Sequence, residues 1–328
     1  MKPRLHDSLD NIVRSDAFIV RATEMGQFLN CPRSWMFMSH NGLNLEDKIR
    51  PSKLRFGIVW HSALEAVYNG EDPFKAIDEG FIKEATDIFG LDASDPLIQE
   101  QIEREKELAK ILMQGYMTWR LDVAVPSDKE LTVVDAERRM LLPLDGTRAY
   151  LAVRLDTEVL DKNGGLWIIE HKSRGKSSNV EDPPELDLDL QLSLQLYALK
   201  NTTDMNVRGA IYNLTRKQAP SNRVKSAIYA RHKLVRSNAE IDGIEITLRN
   251  AYYDMRRASN LVKSDPVEAM LNLRYNPQPY GLCGWGCSVK DICQAINRRE
   301  DVEYLIESKL KPRDKNIWEV LEEELAED

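Results

Sequence analysis

The chain has 328 residues, 42% of them hydrophobic, with 45 Lys and Arg against 53 Asp and Glu and a formal net charge of -8. That length fits one large domain or two ordinary ones, and the acidic balance excludes a protein that coats nucleic acid by bulk attraction while leaving room for a local basic groove. No apolar stretch reaches the roughly 20 residues of a membrane helix, four cysteines are too few for a disulfide framework, and Met1-Lys-Pro-Arg-Leu-His-Asp leads into no apolar run, so a cytoplasmic location is expected.

In chain order, residues 17–40 predict a short apolar lead-in and a helix, with Met25, Phe28, Leu29, Trp35, Met36 and Phe37 as core candidates. Residues 56–68 carry apolar side chains at helical spacing and predict a buried helix. Residues 72–122 read as helical throughout, punctuated at Pro73 and between Asp92 and Pro96, with polar faces that suit an outer layer or lid. The pattern then changes. Residues 131–144 predict one strand, 148–160 a second and 166–171 a third, joined as an antiparallel meander with Asn163-Gly164 as a hairpin turn. After a polar loop, residues 186–200 predict an amphipathic helix, 207–214 and 225–235 two further strands, and 238–262 a long helix. The tail from Glu300 has helical periodicity and ends in an acidic run. The architecture expected is α/β: helices, a small mixed sheet, more helices, and a closing segment rich in cysteine.

That closing segment reads Cys283-x3-Cys287-x5-Cys293, with Gly281, Gly284 and Gly286 around it, and Cys31 stands alone near the start. The glycines permit the backbone angles needed to aim three sulfurs at one point. Four thiolates suit zinc or an iron–sulfur cluster. Structural zinc usually takes two paired knuckles, and the three-plus-one arrangement here favours [4Fe-4S]. Buried free cysteines behaving as small hydrophobes are the plainer alternative. If Cys31 joins the triple, the site closes a long loop and staples the two ends of the fold, a gain of at most about 5 kcal/mol by chain-entropy reasoning.

The most informative local pattern lies on the second and third predicted strands. Asp156 follows an apolar run, and Trp167-Ile-Ile-Glu170-His171-Lys172 is an apolar strand ending in Glu-x-Lys. Residues i and i+2 of a strand share a face, so Glu170 and Lys172 point together, and a turn at Asn163-Gly164 brings Asp156 towards them. Two carboxylates can hold Mg²⁺ or Mn²⁺ through hard oxygens; such an ion polarises a phosphoryl oxygen and activates water, and a lysine beside it offsets charge in the transition state. An exposed strand with a Glu/Lys pair shows the same pattern, so other residues must add weight. His61, on the helix with Gly57 four residues before it, is available as an imidazole ligand. Gln191, Gln195 and Tyr197 on the following helix are candidate contacts to the site or to the DNA backbone.

The order Cys31, Gly57-x3-His61, Asp156, Glu170-x-Lys172, the Gln/Tyr helix and Cys283/Cys287/Cys293 resembles the RecB-like branch of the PD-(D/E)XK nuclease superfamily. It is most similar to AddB-type nuclease domains and to CRISPR-associated and phage-borne exonucleases with an iron–sulfur staple. Two departures stand out: Ser193 lies four before Tyr197 where the helix motif usually has Gln, and the cysteine triple has x3 where x2 is commoner. The resemblance implies a restriction-endonuclease-like core over residues 21–298, with a helical insertion at about 62–125, an extension over 1–20 and an acidic tail over 299–328. It implies metal ligands at His61, Asp156 and Glu170, with the His171 carbonyl as an added ligand, and catalysis by Lys172 with Glu170 and Asp156. It further implies a [4Fe-4S] cluster on Cys31, Cys283, Cys287 and Cys293.

The function expected is a metal-dependent DNA exonuclease acting on single strands or ends, 5′→3′ by resemblance, in recombination, repair or CRISPR or phage DNA processing. Arg33, Arg174 and Lys176 are candidate phosphate contacts. No GxxxxGK[ST] run is present, so unwinding would fall to a partner such as a helicase, recombinase or CRISPR adaptation protein. A non-catalytic DNA-end-binding adaptor with the same stapled fold is the rival reading, and an iron–sulfur electron carrier, which has no use for Glu-x-Lys, is a third.

Overall fold

A computed structural model describes residues 17–48, 51–89, 96–221, 227–278 and 282–315. Strand β1 (Phe18–Arg21) leads directly into α1 (Ala22–Asn30) and, after Cys31, α2 (Pro32–Met38), where a proline opens the helix without forfeiting a bonded N–H. Short β2 (Leu45–Asp47) precedes three longer helices, α3 (Ser52–Asn69), α4 (Pro73–Phe89) and α5 (Pro96–Asp122). Five strands follow: β3 (Leu131–Ala136), β4 (Arg139–Leu144), β5 (Ala149–Arg154), β6 (Thr157–Asp161) and β7 (Leu166–Arg174). Helix α6 (Leu190–Thr202) crosses over to β8 (Val207–Arg216), which turns back as β9 (Tyr229–Val235). The chain closes with α7 (Asn238–Ser264), α8 (Pro266–Asn272), α9 (Leu282–Trp285), α10 (Lys290–Arg298), α11 (Glu303–Lys309) and β10 (Leu310–Pro312).

The expected meander is corrected in one respect. The strands expected over 131–144 and 148–160 are each broken in two, giving β3/β4 and β5/β6. Glu137, at φ 56, turns the first arm, and Leu155-Asp156 turns the second at the same level. The two kinks are bonded to one another: the Glu137 N–H donates to the Asp156 carbonyl and the Leu155 N–H to the Arg138 carbonyl, each at 2.8 Å. One long hairpin therefore bends as a unit and serves two sheets. Its outer half joins β1 in the order β1-β5-β4, and its inner half lies in the order β3-β6-β7-β8-β9. Beyond the meander, β7 and β8 are parallel, because the connection between them carries α6 rather than a tight turn, and this makes the sheet mixed, as expected. The hairpin at Asn163-Gly164 is present, with Gly164 at φ 76.

Two apolar cores flank the larger sheet. Residues of α1, α2, α6 and α7 pack with β1, β5 and β8 in the first, which takes in Met25, Trp35, Met36 and Phe37; Leu29, expected among them, is exposed because it falls on the outer face of α1. The second joins α3, α4 and α5 through Phe56, Trp60, Phe81, Met113 and Tyr116, so the helical layer has its own interior. Strand β1 begins inside the expected extension and pairs with β5, and β10 pairs with β2 across the expected tail boundary. The acidic end of that tail lies outside the described residues. Among the described residues, no helix is long and apolar enough to cross a membrane.

Candidate active site

The hairpin kinks, α3, α6 and β7 meet at a cavity of ≈ 310 Å³ lined by His61, Asp156, Glu170, Lys172, Gln191 and Gln195, among others. Asp156 sits at the second kink, between the end of β5 at Arg154 and the start of β6 at Thr157, where the chain leaves one sheet for the other. One of its oxygens accepts the main-chain N–H of His171 at 2.8 Å, and the other lies 3.3 Å from Nδ1 of His61. Burial alone would raise the Asp156 carboxyl; His61 and the His171 N–H outweigh it and hold the group below the usual carboxylate range. In the same way, the Asp156 charge overcomes burial and raises His61.

Glu170 and Lys172 share one face of β7, as alternation requires, at 2.6 Å Oε1 to Nζ. Helix α6, capped by the Asp189 side chain on the Leu192 N–H, places two amides one turn apart on this pair. Gln191 donates to Glu170 Oε1 at 3.1 Å and accepts from Lys172 Nζ at 2.9 Å. Gln195 donates to Glu170 Oε2 at 3.0 Å. Both glutamines thus position the carboxylate, and Gln191 the ammonium as well. Burial and then the Asp156 charge raise Glu170; against burial, Glu170 raises Lys172. His171 points to the opposite face, where its ring lies 5.5 Å from that of Tyr68 and 6.1 Å from that of Tyr116. Burial pushes this imidazole down to about 3, so it is neutral at ordinary pH.

One residue of the site escaped sequence reasoning. Glu137, on the first kink, brings its carboxylate into a set with His61 and Asp156 whose ligand atoms all lie within 4.8 Å of one another, the one such set of three or more His, Cys, Asp or Glu among the described residues. Its carboxyl, 3.0 Å from Arg154 Nε, is pushed up to about 7, chiefly by burial. The charged run Glu137-Arg138-Arg139 inside an otherwise apolar β pattern was the available signal. One imidazole nitrogen and two carboxylate oxygens form a donor set suited to a divalent ion such as Mn²⁺ or Mg²⁺. Glu170 stands on the same cavity but is occupied by Lys172 and the two amides.

Four expected DNA contacts lie elsewhere. Arg33 is buried far from this cavity; its guanidinium donates to Asn297 Oδ1 at 2.6 Å and to Cys293 Sγ at 3.5 Å and stacks over Tyr275. Tyr197 faces α7, where it bonds to Glu245, and burial pushes its phenol up to about 12. Arg174 ends β7 and Lys176 is exposed in the loop beyond, and neither lines the cavity. The four cysteines line a second cavity of ≈ 230 Å³. Cys31 reaches it from the α1–α2 junction and the other three from α9, α10 and the turn between them. Burial raises the Cys287 thiol, and Cys283, Cys31 and Cys293 add to that. Their sulfurs do not form a set as tight as the His61 group.

In this α/β fold a His/carboxylate set that could hold a divalent ion stands beside a Glu–Lys pair. The sequence profile of the PD-(D/E)XK nuclease superfamily matches residues 22–294, and the chain belongs to that superfamily. No curated protein matches it by sequence. Among solved structures it is similar to a provisionally named exonuclease from Eubacterium rectale, at 12% identity over 80% of this chain and 87% of that one, with a TM-score of 0.42.

Proposed function

We propose that this protein is a metal-dependent DNA exonuclease that hydrolyses phosphodiester bonds in single strands or at DNA ends. The observation that carries the reading is the convergence of His61, Asp156, Glu170 and Lys172 on one cavity, from α3, the hairpin kink and β7. His61, Asp156 and Glu137 would hold Mn²⁺ or Mg²⁺, Glu170 would join them through an oxygen shared with Lys172 and the amides, and the His171 carbonyl would add a further oxygen. The ion, when bound, supplies Lewis-acid polarisation of the phosphoryl oxygen and a more acidic water. Lys172, held by Glu170 and Gln191, keeps a fixed positive charge beside the phosphate, where it orients the attacking water and offsets charge built up in the transition state. Gln191 and Gln195 stop that lysine and glutamate from collapsing into other pairings. The 5′→3′ polarity follows the family resemblance, as does dependence on a helicase, recombinase or CRISPR adaptation partner for duplex substrates.

The second cavity supports a structural [4Fe-4S] cluster on Cys31, Cys283, Cys287 and Cys293, fastening the first helices to the last. A net charge of -8 makes DNA affinity depend on local cations, and so steeply on salt. The test is cleavage of single-stranded DNA labelled at the 5′ or the 3′ end, with Mn²⁺, Mg²⁺ or chelator. Mononucleotides or short products from the 5′ end in metal, and none in chelator, are expected. Intact substrate at every metal concentration would overturn the reading.

A further inference from the structure

Strand β6 covers only Leu166–Ile169 of β7, because the chain bends away at Asp156. Beyond the bond from the His171 N–H to Asp156, that edge of β7 carries no strand among the described residues. Helix α3 runs beside it. Lys53, Gly57 and His61 recur at every fourth residue and so share one face of the helix. Gly57 meets β7 at Ser173, where a Cβ would stand 4.0 Å from Oγ. His61 belongs to the metal set at one end of this face, and Lys53 marks the other, about 12 Å along the helix axis. There it meets Lys217, the first residue past β8, whose N–H donates to the Arg174 carbonyl at 2.9 Å.

Neither lysine has a carboxylate partner among the described residues. Glu105, whose charge reaches Lys217, is taken by both guanidinium arms of Arg55, at 2.8 and 2.9 Å. Lys217 is half-buried, with its ammonium 5.2 Å from the centre of the Phe56 ring. Burial pushes that ammonium down, and Lys53 adds to the shift against Glu105. Lys53 is exposed, its Nζ so near Gly286 of the cysteine segment that a Cβ there would lie at 2.8 Å. Two like charges held side by side cost free energy, and a local rule broken in this way points to function.

We propose that Lys53 and Lys217 form a phosphate site at the end of a track along α3, where they hold the backbone of a single DNA strand a few nucleotides from the bond cut at His61 and Asp156. The inference rests on the nuclease reading and names how the substrate strand is held beyond the cavity. A phosphate between the two ammonium groups removes the repulsion that the free protein bears. At 3.4 Å or more per nucleotide, the track takes no more than about four. Contacts of this kind position the backbone and carry no base information, so the grip is indifferent to sequence. Gly57, which adds no side chain, leaves the track clear between its two ends, in a helix interior where glycine costs stability.

The experiment measures anisotropy of a fluorescent single-stranded oligonucleotide in Mn²⁺, in a Lys172→Ala background that prevents turnover. Lys53→Gln and Lys217→Gln should each weaken binding about 5- to 10-fold and lower the salt slope by about 0.7, equally for oligonucleotides of different sequence. Lys53→Arg and Lys217→Arg, which keep the charge, should restore the slope. Lys129→Gln, at a lysine already paired with Asp122, should change neither quantity. With Lys172 intact, the two Gln variants should raise KM more than they lower kcat. Gly57→Met should hold or raise the Tm and still weaken binding, because its side chain fills the track. Folded Gln variants with the parent's affinity and slope, or a Gly57→Met variant with the parent's affinity, would overturn the track while leaving the nuclease reading intact. A slope equally low in the Gln and Arg variants would mark the change as structural and overturn it as well. A wild-type protein that binds Mn²⁺ yet neither binds nor cuts DNA would overturn both.

Discussion

The main-chain N–H of His171 and the Asp156 carboxylate are bonded at 2.8 Å, so the residue between Glu170 and Lys172 clamps the aspartate of the cavity. The spacer of the Glu-x-Lys run is therefore a working part. Its side chain holds β7 against Tyr68 and Tyr116 of the helical layer, and its peptide fixes Asp156 at the cavity. Helix packing on one side of the sheet is thereby tied to ligand position on the other.

Lys172→Ala should reduce cleavage by 10²-fold or more, the usual cost of losing one preorganised electrostatic stabiliser. Mn²⁺ affinity should persist, because Gln191 and Gln195 still hold Glu170. Single-turnover cleavage beside calorimetric Mn²⁺ titration checks both. More than about a tenth of wild-type activity would remove Lys172 from the chemistry.

Mn²⁺ affinity should rise with pH. Glu137 sits at about 7 and His61 above its ordinary value, and each must lose its proton to become a ligand. Below about pH 7 the Glu137 proton competes with the ion, and the raised His61 carries that competition further up in pH. Titrations in buffers of different ionisation heat should show proton release at pH 6.5 that fades by about pH 8.5. A flat affinity without proton release would contradict this assignment.

Asp156→Ala and His61→Ala should differ in kind. Asp156 supplies an anionic oxygen at the centre of the set, so its loss should abolish activity at any attainable Mg²⁺ or Mn²⁺. His61 supplies a borderline nitrogen that favours Mn²⁺ over Mg²⁺, so His61→Ala should be slow, with partial recovery at high Mn²⁺. Metal titrations with melting curves alongside decide the matter. An unchanged metal profile with a lowered Tm would strike His61 from the ligands.

Anaerobically purified protein should be brown, with about four irons per chain, and Cys287→Ala should lose the colour, lower the Tm and reduce activity. Iron analysis and absorption spectra test this. Stoichiometric zinc in a colourless, active protein would replace the cluster with a zinc site.

His40 should make the fold sensitive to mild acid. Burial, and then Arg313 and Arg21, push its imidazole down to about 4. The unfolded chain takes up that proton near 6.5 and the folded chain only near 4, so stability is level above about pH 6.5 and falls from there to about pH 4. Denaturant melts of wild type and His40→Gln across that range should show the acid slope reduced in the variant. Identical slopes would assign the loss to other groups.

Much of the site was legible because strand alternation and helical spacing are local. Glu170 and Lys172 on one face, and Gln191 and Gln195 one turn apart, needed no tertiary knowledge. The kinks were not read from the sequence: the charged run at 137–139 marks a break in the apolar pattern, but only the cross-strand bonds at 137–138 and 155–156 show that both arms bend together. Glu137 was missed with them. Arg33 shows the opposite error. Sequence marked its charge, but only packing could show that it lies among the cysteines.

The paired bends also set how this molecule should fail on heating. Asp156 and Glu137 lie on the joint between a three-stranded and a five-stranded sheet, and each sheet can keep its own ladder while the joint slackens. Activity should therefore decay at a lower temperature than the circular dichroism signal of either sheet. Stiffening substitutions at positions of β1 and β4 that do not line the cavity should raise the temperature optimum without altering a single residue that lines the site.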